Sequence, residues 1–365
     1  MTNKLRCLFF VSAVLCFASF GGISSSQAKD ITVSLANDST TLSLSRNYTV
    51  KEVRTAIEFV REGDYEKAVP TLLEYAQKGD TGATYVLGKL YANGLGVDAS
   101  ATEAAKLFTA NSANGHAPSM MALAGLKQSS NPAEALYLIK QADGAGDLAA
   151  TAQLGKIYEN GALGVAKNPK HAFKYYQRAS DEGVPIAKFH LARLYDNGIG
   201  VSANEVQSTR LYRQAALSGV AVANAVMARR YFEGKGLESD PIAGVGWLTR
   251  GAQLGSSDAM VVLGERYELG DTLKQDLNMA GRLYSQAAKM GDPAGIYKLA
   301  TFYLKGLGTK PDPVRAYVLL SNPQVQVLPK AKALFDKLET QLSPTQLATA
   351  RKKLKEQTQE SATQK

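Results

Sequence analysis

The chain has 365 residues, enough for a large core or a long repeat array, with 42 Lys and Arg against 33 Asp and Glu, a formal charge of +9. That excess suits weak attraction to acidic partners and is too modest for a nucleic-acid footprint. The two cysteines, Cys7 and Cys16, both lie in the N-terminal apolar segment, so a disulfide framework, thiolate metal sites and a cysteine nucleophile are excluded for a chain that loses that segment.

The first element is a secretory signal over residues 1–28. Lys4 and Arg6 give it a positive start, Leu8 to Phe20 is an apolar run broken only by Ser12 and Ser19, and Ser26-Gln27-Ala28 offers a signal-peptidase site with cleavage after Ala28. A retained membrane anchor is the alternative, but a spanning helix needs about 20 apolar residues. Val14 and Leu15 before Cys16 do not fit a lipoprotein signal. Loss of Lys4 and Arg6 with the signal lowers the formal charge from +9 to +7. The localisation expected is periplasmic or secreted. Residues 29–49 are Ser/Thr-rich with no helical period and read as a flexible arm. Residues 50–80 read as a degenerate helix pair, with Gly63-Asp64-Tyr65-Glu66-Lys67-Ala68 as the turn and the start of its second helix.

Residues 81–321 are governed by self-similarity. Segments beginning at Ala83, Ala149, Ala187, Ala223 and Ala259 align, and one at Gly295 fits more loosely. Their tyrosines are Tyr91, Tyr158, Tyr195, Tyr231, Tyr267 and Tyr303, the last five spaced 37, 36, 36 and 36 residues apart. Glycines close each unit at Gly79, Gly115, Gly146, Gly183, Gly219, Gly255 and Gly291, with gaps of 36, 31, 37, 36, 36 and 36. About seven units result, one shortened over 117–146, where Leu126-Lys127-Gln128 replaces the Tyr-x-x-Gly of the others and the inter-helix loop is lost. A fixed period in this range marks one two-helix unit stacked as a solenoid. In each unit, helix A carries an apolar stripe such as Ala187, Leu191, Leu194 and Tyr195. Glycines such as Gly198 and Gly200 stop it. Helix B then turns Leu211, Tyr212, Ala215 and Ala216 inward. Its aromatic column is Phe108, Tyr176, Tyr212 and Tyr284, with Trp247 one place early. These stripes, and the helix-A tyrosines with them, read as core. Residues 322–357 hold two capping helices, Pro329 to Gln341 and Ser343 to about Gln357, the latter opening on a capping box at Ser343-Pro344-Thr345-Gln346. Residues 358–365 read as a disordered tail.

The pattern Ala-x-x-x-Leu-(Gly/Ala)-x-x-Tyr-x-x-Gly-x-Gly-(Val/Leu), followed by a helix ending Ala-Ala-x-x-Gly, resembles the Sel-one-like repeat, the longer relative of the tetratricopeptide repeat, over about residues 50–320. The resemblance implies an all-α fold, a right-handed α-solenoid of antiparallel helix pairs, and a role in scaffolding protein complexes. The first pair, the repeat run and the ending around Arg315-Ala316-Tyr317-Val318 and Leu338-Glu339-x-Gln341-Leu342-Ser343-Pro344 are loosely similar to the AlgK-type periplasmic scaffolds of alginate secretion, though those are longer lipoproteins. The function so implied is assembly of an envelope or exopolysaccharide secretion complex. A host-protein-binding or regulatory repeat protein is the alternative, and a polysaccharide-binding module or a hydrolase a further one.

One column suggests a contact surface. Two places before the helix-A tyrosine stand Lys89, Lys156, Arg193, Arg229, Glu265 and Thr301, with Arg230 and Arg266 beside them. Lys89, Lys156, Arg193, Arg229, Arg230 and Arg266 form a candidate basic ladder inside a concave groove that receives an acidic protein segment, since Arg can hold carboxylates with paired donors. A solvated helix face is the plainer reading. The three histidines, His116, His171 and His190, occupy different units and different repeat positions, so no metal, cofactor or catalytic set is expected. Expected partners are proteins, with membrane association only through a complex, polysaccharide contact as a minor reading and no nucleic acid.

Overall fold

The computed structural model describes residues 50–308 and 310–363, without the side chains of 357–363. The signal and arm read over 1–49 lie outside the described residues. Nineteen helices and no strand occur among the described residues. The chain forms two compact units divided after Val184.

The first unit holds α1 (Lys51–Glu62), α2 (Tyr65–Gln77), α3 (Thr81–Asn93), α4 (Ala101–Ala113), α5 (Ala117–Lys127), α6 (Pro132–Gly144), α7 (Leu148–Asn160) and α8 (Pro169–Asp181). The second holds α9 (Pro185–Asn197), α10 (Glu205–Leu217), α11 (Ala221–Glu233), α12 (Pro241–Gln253), α13 (Ser257–Leu269), α14 (Leu277–Lys289), α15 (Pro293–Lys305), α16 (Pro313–Leu320), α17 (Pro323–Gln326), α18 (Pro329–Gln341) and α19 (Pro344–Thr363). From α3 to α16 the odd-numbered helices are helix A and the even-numbered ones helix B. Within each unit every helix B packs against its own helix A and the helix A that follows, so each is an α-solenoid of helix pairs.

The period follows from these lengths. A regular repeat has a 13-residue helix A, a seven-residue loop, a 13-residue helix B and a three-residue turn, which together make 36. The unit beginning at Ala117 differs in two places. Helix α5 has 11 residues, and its loop keeps four residues, 128–131, so the loop is shortened and not lost. Those two deletions account for the 31-residue gap.

Local chemistry fixes each boundary. Gly94, Gly161, Gly234, Gly270 and Gly306 end helix A in the left-handed conformation with φ between 64 and 72°, where a side chain would be strained. The N-cap residue of helix B then donates its backbone N–H to the carbonyl of the helix-A tyrosine. Ser100 to Tyr91, Asn168 to Tyr158, Asn204 to Tyr195, Asp240 to Tyr231, Asp276 to Tyr267 and Asp312 to Tyr303 all lie at 2.7–3.0 Å. The cap side chains accept from the first turn, as Asp276 does from Met279 at 2.9 Å. The recurrent tyrosine thus marks the residue whose carbonyl pins the loop. Its ring is half-buried in every repeat that has one, a correction to its reading as core.

The most enclosed rings belong to helix B: Phe108, Tyr176 and Tyr284 are fully buried, and Tyr212 nearly so. They lean on a small residue of helix A. A Cβ added to Gly88, Gly155 or Gly264 would fall 2.6–2.7 Å from the rings of Phe108, Tyr176 and Tyr284. Burying a tyrosine also buries its hydroxyl, which needs an acceptor. Tyr176 donates to Glu159 at 3.0 Å and Tyr284 to Glu268 at 2.7 Å. Both acids directly follow the helix-A tyrosine. Asp196 stands there in the repeat of Tyr212, whereas Ala92, Phe232 and Leu304 stand there where helix B brings Phe108, Leu248 and Leu320.

The last apolar face is closed by α17, α18 and α19, which bring Val325, Ala331, Leu338, Leu342 and Ala350 to Ile296, Ala316, Tyr317 and Leu320. Helix α19 continues through Thr363, past the boundary read at 357. No Gly or Pro follows Pro344 to stop it.

Candidate functional site

The six cations of the helix-A ladder differ in burial and in partners. Lys156 and Arg229 are exposed. Lys89 is half-buried with its ammonium 5.8 Å from the centre of the Tyr85 ring. Arg193 is half-buried, with Nη2 3.5 Å from His190 Nδ1.

Arg230 is the clearest correction. Its register is that of Leu90, Ile157, Leu194 and Phe302, all core residues, and it is 2% exposed. The guanidinium lies 2.7 Å from the Asp196 carboxylate, donates to Thr209 Oγ1 at 2.6 Å and Ser208 Oγ at 2.9 Å, and stacks 5.0 Å from the Tyr212 ring centre. Lys235 reaches the same carboxylate at 2.9 Å. A buried charge is tolerable only with such compensation, so Arg230 is consumed inside the second unit. Burial pushes the Asp196 carboxyl up, but bonds from Lys235 and Arg230 outweigh it and hold the carboxyl below its ordinary range. Arg266 is partly consumed in the same way, paired with Asp271 at 2.7 Å and stacked 5.2 Å from the Phe232 ring centre. Glu265, the acid of the column, pairs with Lys298 at 2.6 Å.

The histidines stay apart. His116 precedes α5 with Nδ1 2.8 Å from Ser119 Oγ, and burial lowers its pKa. His171 stacks on Tyr158, and His190 meets Phe189 edge-on. Among the described residues no three or more His, Cys, Asp or Glu side chains gather as a metal site. Ser257 donates to Asp292 at 2.7 Å, but that carboxylate also caps α15 through the Gly295 N–H, so the contact is an extended cap. An open cleft of about 710 Å³ lies beside the shortened repeat, lined by Ala101, Ala105, Thr109 and Leu126 with Lys106 and Lys127. Both lysines are ion-paired, with Glu103 and Glu134. No helix among the described residues is long and apolar enough to cross a membrane.

The half-exposed tyrosines bear on sugar binding, which needs open ring faces. The ring of Tyr158 stacks with His171 at 5.1 Å and with Tyr175 at 5.5 Å, and the Arg178 guanidinium lies 5.4 Å from the centre of the Tyr175 ring. Arg315 covers Tyr303 at 5.0 Å. These rings are occupied by neighbours in their own unit.

Comparison with known proteins agrees with this architecture. The Sel1 repeat pattern matches residues 81–116, 148–184, 185–220, 221–256, 257–292 and 293–321, passing over the shortened unit. The alginate biosynthesis protein AlgK of Pseudomonas syringae pv. tomato is 38% identical over 65 residues, 18% of this chain and only 14% of that protein's length. The crystal structure of a Sel1 repeat protein from Oxalobacter formigenes superposes with a TM-score of 0.58 at 23% identity, covering 85% of this chain and 89% of that one. That of c5321, a protective antigen of uropathogenic Escherichia coli displaying an SLR fold, does so with 0.50 at 19% identity, covering 98% and 94%. Sel1 repeat proteins generally bind other proteins. With more than half of its length matched by the repeat pattern, this chain belongs to the Sel1 repeat family.

Proposed function

We propose that the protein is a non-catalytic, periplasmic or secreted scaffold that holds partner proteins during assembly of an envelope or exopolysaccharide secretion complex. The observation that carries the protein-binding part is the repeat architecture itself, in which capped helices present long exposed faces. The 38% identity to the alginate biosynthesis protein over 65 residues supports the secretion pathway. Of the helix-A ladder, only Lys156 and Arg229 keep exposed heads.

Crosslinking of the chain in its own cell, followed by mass spectrometry, tests this reading. Crosslinks from the repeats to proteins encoded beside glycosyltransferases or an outer-membrane porin are expected. A chain that yields no protein crosslinks at native abundance would overturn the scaffold. Partners confined to a sensor kinase would move it to regulation.

A further inference from the structure

The second unit divides its charge unevenly between its two helix layers. Helix A (α9, α11, α13 and α15) carries seven Lys and Arg against five Asp and Glu, while helix B (α10, α12, α14 and α16) carries six against Glu205 alone. The helix-A cations include Arg230, Arg266 and Lys298, each in an ion pair. The helix-B cations are Arg210, Arg213, Arg250, Arg282, Lys289 and Arg315, and none has an acidic partner among the described residues. Arg213, Arg250 and Arg315 donate only to neutral oxygens, of Tyr231, Leu217 and Tyr303. Arg210 and Arg282 are exposed at the same register of α10 and α14. Between them Gly246 holds that register in α12, and its missing side chain opens onto empty space.

The same helices expose apolar side chains at their ends. Val206, Arg210, Arg213 and Leu217 follow at spacings of four, three and four, which is one stripe along α10. Val206 is 69% and Leu217 55% exposed, and Ile242 at the start of α12 is 80% exposed. Uncompensated cations attract and orient an anionic partner. Arginine, five of the six here, matches carboxylates with paired donors. Apolar side chains at both ends of a cationic stripe favour a polypeptide over a bare polyanion.

We infer that the helix-B face of the second unit, centred on Arg210, Arg213 and Arg282, docks an acidic polypeptide segment that carries apolar side chains. The inference rests on the scaffold reading and moves its acidic-partner contact from helix A to helix B.

The test uses the full chain and a fluorescent peptide of glutamate and leucine, read by anisotropy. Arg210→Glu/Arg282→Glu is compared with Arg229→Glu/Lys305→Glu, an equal charge change on exposed helix-A positions of the same unit. The helix-B variant is expected to weaken peptide binding about tenfold or more and the helix-A variant less than about threefold. Equal losses, or a larger loss from helix A, overturn the assignment. Tighter binding of polygalacturonate or phosphatidylglycerol vesicles than of the peptide, lost in the helix-B variant, overturns the choice of a polypeptide. Circular dichroism confirms folding, and Arg210→Gln/Arg282→Gln carries the same comparison if reversal unfolds the chain. Failure here leaves the cellular crosslinks intact, whereas failure of the scaffold reading removes them.

Discussion

The repeats 185–220 and 221–256 share a period, a loop length and a glycine stop, yet their interiors are filled by opposite chemistry. The first buries Tyr212 beside Asp196 and borrows Arg230 from the next helix A. The second fills the matching places with Leu248 and Phe232. The same alternation separates the Tyr176–Glu159 and Tyr284–Glu268 repeats from the Phe108–Ala92 and Leu320–Leu304 repeats. The scaffold therefore fixes where side chains are enclosed, and it accepts polar or apolar fillings where the buried charge or hydroxyl has a partner.

The largest break in this comparison is Arg230→Ala. It removes the buried partner of Asp196, leaves only Lys235 on that carboxylate and opens a cavity, and is expected to cost about 3 kcal/mol in chemical denaturation. Arg230→Leu with Asp196→Leu rewrites the node in the apolar form and should regain most of that loss. No regain would mean that the two fillings are not interchangeable. Next comes Glu268→Leu, which orphans the Tyr284 hydroxyl at a cost of about 1–3 kcal/mol. Adding Tyr284→Phe should remove most of the penalty, and a double-mutant cycle reads the coupling. Gly155→Ala drives a methyl against the Tyr176 ring and is expected to destabilise by about 1–3 kcal/mol. Gly125→Ala, with nothing near its added methyl, should instead stabilise α5 by up to about 1 kcal/mol.

The smallest effect at neutral pH is that of Tyr212→Phe. Burial, helped by the Asp196 carboxylate, pushes the Tyr212 phenol from 10.0 to about 12. A raised folded-state pKa means that the contribution is complete below pH 10, falls as pH rises and is gone above about 12. Stability of the parent protein should fall more steeply than that of Tyr212→Phe across this window, and parallel curves would contradict the assignment.

The repeat was legible in the sequence because its markers have mechanical duties. Tyr-x-x-Gly records a carbonyl that pins the loop and a left-handed stop, and neither tolerates drift in register. The shortened unit was legible for the same reason, though its surviving four-residue loop was not. Column reading failed where one register serves two environments. Arg230 and Arg266 looked like neighbours of an exposed ladder, but their register is the core register of Leu90 and Leu194, and only packing reveals that an arginine has taken it. The Tyr–acid pairs were within reach of the sequence, since Glu159, Asp196 and Glu268 occur only where helix B brings a buried tyrosine. The helix-B cations were equally visible, but nothing in the sequence sets them apart until the ion pairs of helix A are compared with helix B, where none is found among the described residues.

The central claim is that the protein works by holding other proteins against exposed helix faces, helix B of the second unit foremost. Site-specific photocrosslinking in the native cell tests it most directly, with the reactive side chain placed at position 282 on α14 and, for comparison, at position 305 on α15. The account predicts a discrete protein adduct from position 282 and none from position 305. No protein adduct from either position, in a chain shown to be folded and present at normal abundance, would contradict it.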